Sequence, residues 1–284
     1  MILSASRRTD IPSYYTEWLM NRLEAGYLCT RNPFNPAQTK RIELTPELVE
    51  CIVFWTKNPK PMLPLLSKLD EMGYRYYFQF TLTPYGKDME RNLPLKEDII
   101  RTFCELGEQI GAQRLFWRYD PIILNDTIDI PYHTEHFQRM SEQLSPYTNS
   151  VTISFVDLYR KLKTPLVRDI ITEEIEIISK SFAYIAARVG FPVRACCEKM
   201  NLTTYGINPA SCIDRQTIEK ICGYTVTTKS DKNQRPGCGC IAAVDIGAYN
   251  TCQNGCVYCY ANHSIPSVKA NCQRHDPKRE YLLG

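Results

Sequence analysis

"CIVFWTKNPKPMLPLLSKLDEMGYRYYFQFTLT", residues 51 to 83, holds two apolar, aromatic-rich runs, "CIVFWT" (51–56) and "YRYYFQFTLT" (74–83), on either side of a helical stretch near 60–72 that "NPKP" introduces. Strand, helix, strand in that order is the unit that joins parallel strands. The alternation extends in both directions. Further strands are expected at "ILSAS" (2–6), "QRLFWRYD" (113–120), "SVTISFVD" (150–157) and "FPVRACC" (191–197), and helices near 13–25, 95–110, 132–144 and 172–189. Pro12 with Ser13, Pro94, and Thr172 followed by Glu173 and Glu174 are the start signals. Six strands joined by five crossovers predict an α/β protein built as a partial (β/α) barrel, and "CIAAVDIG" (240–247) is available as a seventh strand. Residues 1–200 form the barrel in this reading. Residues 201–284 are a cysteine-rich segment that completes it.

The 284 residues, 44% of them hydrophobic, suffice for a full core. A balance of 34 basic against 31 acidic residues neither demands nor excludes a polyanionic partner. Two arginines follow Met1 within a few residues, and no apolar run reaches transmembrane length, so the expectation is a soluble, cytoplasmic protein with no membrane partner. Aromatic residues in "YRYYFQF" and "FWRYD" could stack on bases, but at strand spacing they fill a core, which makes nucleic-acid readout the weaker reading. The basic tail (Lys269, Arg274, Lys278, Arg279) reads as solvated surface, and His133 and His136 read as a solvent-facing helical pair.

Barrels of this kind carry their chemistry at the carboxyl ends of the strands. The runs here end in Arg7, Arg8 and Asp10, in Lys57, in Arg118 and Asp120, in Asp157, and in Cys197 and Glu198. As a set they predict a polar mouth in which Lys57, Arg118, Asp120 and Glu198 are the candidate catalytic groups. Taken singly, each is also compatible with a cap or loop role.

Of the thirteen cysteines only Cys29, Cys51 and Cys104 precede residue 196, and these three read as buried apolar residues. The other ten crowd the last third, where metal or cluster ligation is a better prior than disulfides. "TCQNGCVYC" (251–259) spaces Cys252, Cys256 and Cys259 for three-point ligation of an iron–sulfur cluster, with Gly255 allowing a tight wrap. Cys197, Cys212, Cys238 and Cys240 form a second candidate set, for an auxiliary cluster or a structural zinc; dispersed packing thiols are the alternative. Adjacent Cys196 and Cys197 in a strand would point to opposite faces, so one of them at most joins that centre.

The triad, with Tyr258 before its last cysteine, resembles the cluster loop of the radical S-adenosylmethionine enzymes. The resemblance implies that Cys252, Cys256 and Cys259 ligate a [4Fe–4S] cluster and that Tyr258 lies beside the adenine. It also implies that the open iron chelates S-adenosylmethionine, whose reductive cleavage gives a 5′-deoxyadenosyl radical, and that a donor such as flavodoxin or ferredoxin supplies the electron. "SASRRTDIP" (4–12), "FWTKNP" (54–59), "DIGAYNTC" (245–252) and "CVYCYAN" (256–262) are similar to an uncharacterised bacterial family defined only as a domain of unknown function. The superfamily usually places its cysteine loop after the first strand, whereas here it follows the last. If "CIAAVDIG" lies beside "ILSAS", the chain is a circular rearrangement of the same barrel. Asp10 could then pair with the methionine ammonium and Arg7 or Arg8 with its carboxylate, unless the arginines clamp the loop to neighbouring carboxylates. The alternative from another class is a zinc-stabilised binding module, perhaps for nucleic acid, in which all the late thiols are structural.

Overall fold

The computed structural model describes residues 1–158, 164, 166–235 and 237–283. Pro236 of the "PGCGC" stretch lies outside them. In chain order the elements are β1 (Ile2–Ala5), α1 (Ile11–Tyr14), α2 (Thr16–Ala25), β2 (Tyr27–Asn32), β3 (Asn35–Glu43), β4 (Cys51–Thr56), α3 (Leu66–Glu71), β5 (Tyr76–Thr81), α4 (Lys96–Ile110) and β6 (Leu115–Ile122). They continue as α5 (Ile130–Leu144), β7 (Val151–Phe155), α6 (Thr172–Val189), β8 (Val193–Ala195), β9 (Asn208–Pro209), α7 (Arg215–Cys222), β10 (Val244–Asp245) and α8 (Ile265–Arg274).

Eight strands make one sheet in the order β10-β1-β4-β5-β6-β7-β8-β9, and every pair in it is parallel. The strands are continuous apolar runs because both of their faces are covered. One face of β5, Tyr76, Phe78 and Phe80, packs in the main core under the helices. Tyr77 faces a second apolar cluster with Val53, Cys212 and Ile213, and its hydroxyl donates to the Cys212 carbonyl at 2.8 Å. Gln79 donates to the same carbonyl at 2.9 Å. The residues beyond 200 thus add a strand to each end of the sheet and fold across its inner face. Between those ends the Ile241 N–H donates to the Ile213 carbonyl at 3.1 Å. The result is a partial barrel.

Five of the six principal strands fall within the runs expected from sequence, β6 starts inside its run but continues past residue 120 to Ile122, and β10 occupies part of the seventh. The helices differ in detail. The expected 13–25 helix is broken at Tyr15, and the expected 60–72 helix starts as a 3-10 turn over Lys60–Leu65, where Pro61 and Pro64 supply no N–H donors. The antiparallel hairpin β2–β3 was not legible, since β3 is exposed along nearly its whole length and carries no apolar alternation.

Three expectations about single residues are corrected. His133 is fully buried: Nδ1 lies 2.8 Å from the Tyr119 hydroxyl and Nε2 lies 2.8 Å from the Ile123 carbonyl, while His136 is half-buried. Burial holds the His133 pKa down at about 4. Of the three early cysteines only Cys51 is buried; Cys29 and Cys104 are half-buried. No helix among the described residues is long and apolar enough to cross a membrane.

Candidate functional site

Because the sheet is parallel throughout, its strands deliver their carboxyl ends to one rim. A cavity of about 600 Å³ opens there. Arg7, Arg8 and Asp10 reach it from β1, Lys57 from β4, Arg118 and Asp120 from β6, and Asp157 from β7. Cys196 and Cys197 follow β8, Cys212 follows β9, Cys238 and Cys240 precede β10, and Cys252, Cys256, Tyr258 and Cys259 follow β10. Every candidate site residue except Glu198 therefore lines one cavity. Glu198 instead accepts the Phe155 N–H at 3.0 Å.

The first and last segments of the chain meet at the rim. β10 lies beside β1, in register from Leu3 with Val244. At Gly247 a Cβ would collide with Ser6 Oγ, so only glycine lets the two loops lie this close. Asp245 binds the β1 loop by accepting from the Arg7 N–H at 2.9 Å, from Ser6 Oγ and from Arg8 Nε at 3.2 Å. Arg8 is thereby clamped to a neighbouring carboxylate, the alternative reading of that side chain. Arg7 is placed differently: its guanidinium lies 5.0 Å from the Trp55 ring centroid, and Nη2 is 3.5 Å from Cys240 Sγ.

Asp10 is buried, and its carboxylate is already engaged by three N–H donors: Ser13 N at 3.1 Å, Lys57 N at 2.7 Å and Asn254 Nδ2 at 3.1 Å. It caps α1 and ties that helix to β4 and to the cysteine loop. Burial raises its pKa, opposed by these hydrogen bonds. Tyr14 donates to Asn254 Oδ1 and Tyr15 to the Thr251 carbonyl, both at 2.7 Å, and Tyr260 donates to the Arg7 carbonyl. The geometry gives Asp10 a scaffolding contact with the loop rather than a free carboxylate.

The cysteine loop turns at Gly255, where φ is +69° and a Cβ would stand 2.8 Å from Asn92 Nδ2. Tyr258 is 9% exposed, and its hydroxyl donates to Glu90, which is 1% exposed. Lys57 Nζ (2.7 Å) and Lys96 Nζ also bind Glu90, and Thr83 Oγ1 donates to it at 3.1 Å. Burial alone would push the Glu90 carboxyl up, but the two ammonium groups hold it down at about 2. Glu90 escaped the sequence reading because a single glutamate in "KDMERN" follows no strand end and repeats no pattern.

Arg118, 5% exposed, donates from Nη1 to Cys212 Sγ at 2.8 Å and from Nη2 to Asp120. Cys196 and Cys197 both line the cavity, against the expectation that they point apart. β8 ends at Ala195, and Cys197 takes the left-handed conformation (φ 55°), so strand alternation does not extend to it.

The donor chemistry of the loop fits three-point ligation of a cluster. Three sulfurs from one loop line the cavity, and burial pushes all three thiols up, Cys256 to about 12. Thiols in that range ionise only against a strong cation. Ala261 N–H donates to Cys259 Sγ at 3.3 Å. Among the described residues no three His, Cys, Asp or Glu side chains are grouped so as to hold a single metal ion. A cluster distributes its thiolates over several irons instead.

Burial raises the Glu198 pKa to about 7, and Asp120 and Asp157 push the same way. The folded state therefore binds this proton more tightly than the unfolded chain, and Glu198 contributes stability that is full below its ordinary 4.5 and lost as pH rises through about 7. Glu198→Gln should flatten that part of the pH profile of unfolding, measured by urea titration across the window. An unchanged profile would show that Glu198 titrates normally.

Fold and site together define an α/β partial barrel with a polar, cysteine-lined mouth at the strand ends. The profile of the family described as "Domain of unknown function (DUF1848)" matches residues 2–261, and the chain belongs to that family. No curated protein matches it.

Proposed function

We propose that the protein is a radical S-adenosylmethionine-type enzyme in which Cys252, Cys256 and Cys259 hold a [4Fe–4S] cluster through three of its irons. The observation that most supports this is that one loop brings three cysteines and Tyr258 into the cavity at the carboxyl ends of parallel strands, where such folds carry chemistry. Bound there, the cluster and S-adenosylmethionine would supply a 5′-deoxyadenosyl radical, with the electron coming from a donor such as flavodoxin or ferredoxin.

The chain's own residues do the positioning. Glu90 fixes the Tyr258 ring at the cavity wall, beside the cluster loop, as an adenine contact requires. Arg7 is the better placed of the two arginines to meet the methionine carboxylate, since Asp245 engages Arg8. Lys57, Arg118 and Asp120 line the cavity and are the groups that would meet a polar substrate.

Anaerobic purification separates this reading from a zinc-stabilised module. A brown protein whose visible absorption bleaches on reduction and is lost in air is the expected result. A colourless protein with stoichiometric zinc would contradict it.

A further inference from the structure

The cysteines outside the loop are unevenly placed. Five of them, Cys196, Cys197, Cys212, Cys238 and Cys240, line the same cavity as the loop, brought there by the segments that follow β8 and β9 and the one that precedes β10. The Cys196 and Cys212 sulfurs are 3.3 Å apart. Cys51 and Cys222 illustrate the packing role by contrast. They share the apolar cluster but do not line the cavity, and their thiols donate to backbone carbonyls, those of Ile52 and Glu50.

Cations and N–H donors face these sulfurs. Arg118, almost completely buried, donates to Cys212 Sγ at 2.8 Å; Arg7 Nη2 is 3.5 Å from Cys240 Sγ; the Ile213 N–H donates to Cys240 Sγ at 3.3 Å. Burying a guanidinium is costly unless negative charge meets it. Asp120 supplies part of that charge to Arg118. Neutral thiols supply none, whereas thiolates on an inorganic centre are anionic and take N–H···S hydrogen bonds that tune the centre.

We propose that Cys197, Cys212, Cys238 and Cys240 hold a second iron–sulfur centre, separate from the loop Cys252–Cys259, with Arg118 and Arg7 offsetting its charge. These four thiols line one cavity and come from three segments, after β8, after β9 and before β10. Gly237 and Gly239 flank Cys238 and give the loop the freedom to present both of its sulfurs. Both centres would border one cavity, so a substrate bound among Lys57, Arg118 and Asp120 would lie between them.

The second centre does not depend on the first, and the test keeps them apart. The full chain carrying Cys252→Ala, Cys256→Ala and Cys259→Ala together is reconstituted anaerobically with ferrous iron and sulfide. Its iron, sulfide, zinc and electron paramagnetic resonance are then measured. The expected result is about four irons and a matching sulfide content per chain, with a paramagnetic signal on reduction. Adding Cys197→Ser and Cys238→Ser, both at half-buried positions, should remove the iron and the signal. A triple variant that melts like the wild type yet holds no iron, or holds zinc instead, would overturn the proposal, as would iron retained after the two serine substitutions. Should the triple variant not fold, the wild type decides: about eight irons support a second centre and about four contradict it. A failure of the first cluster reads differently, as iron unaffected by Cys256→Ala but lost in Cys238→Ser.

Discussion

Glu90→Ala should lower the folding free energy by about 3–5 kcal/mol, the range for removing one partner of a buried charge network. Glu90 is 1% exposed and binds Lys57, Lys96, Thr83 and the Tyr258 hydroxyl. Its loss leaves two ammonium groups and two hydroxyls without the carboxylate they share. Urea unfolding measures the loss directly, and Tm should fall on the order of 10 °C for a chain of this size. The pH dependence has a definite sign. Because the folded carboxyl is held at about 2 against an ordinary 4.5, its stabilisation is present above 4.5 and lost as pH falls toward 2. Glu90→Gln should therefore be less sensitive to acid than the wild type over that window. A Glu90→Ala variant within about 0.5 kcal/mol of the wild type would remove the network from the account.

Cys256→Ala should abolish formation of 5′-deoxyadenosine and strip iron from the loop while leaving the fold intact. Cys256 is half-buried on a loop outside the strands, so truncating it to alanine opens little space. As a ligand, however, it is not replaceable: a cluster that keeps one iron open for S-adenosylmethionine needs all three thiolates of the motif. Activity should drop to the background of the uncatalysed cleavage, with the far-UV circular dichroism unchanged. Full cofactor cleavage with full iron content in this variant would end the assignment of the loop.

How much of this was legible in the sequence varies with the physics of each element. The strands of a parallel sheet are buried on both faces, so Cys51–Thr56, Tyr76–Thr81 and Val151–Phe155 stand out as apolar runs between helical stretches. The placement of β10 beside β1 could be argued only from closure of a barrel, and the structure pairs Leu3 with Val244. What the sequence could not carry was long-range polar pairing. Nothing in "KDMERN" announces that Glu90 meets Tyr258 across 168 residues, or that Asp10 spends its carboxylate on Lys57 and Asn254. Local rules also fail where the backbone leaves its regular conformation. Strand alternation separated Cys196 from Cys197, but a left-handed Cys197 brings both to the cavity. Helical spacing put His133 with His136 toward solvent, yet His133 lies beneath Tyr85, Tyr119 and Tyr132 with both ring nitrogens engaged.

The central claim is that the cysteine loop and the β1 loop form one S-adenosylmethionine site. The most direct test reconstitutes the wild-type chain anaerobically with iron and sulfide, adds S-adenosylmethionine and dithionite, and quantifies 5′-deoxyadenosine by chromatography. The account predicts its formation in the wild type, its absence in Cys256→Ala, and weaker S-adenosylmethionine binding in Arg7→Ala with the iron of the loop cluster retained. A wild-type chain that carries an intact [4Fe–4S] cluster on Cys252, Cys256 and Cys259 yet neither binds S-adenosylmethionine nor forms 5′-deoxyadenosine would contradict it.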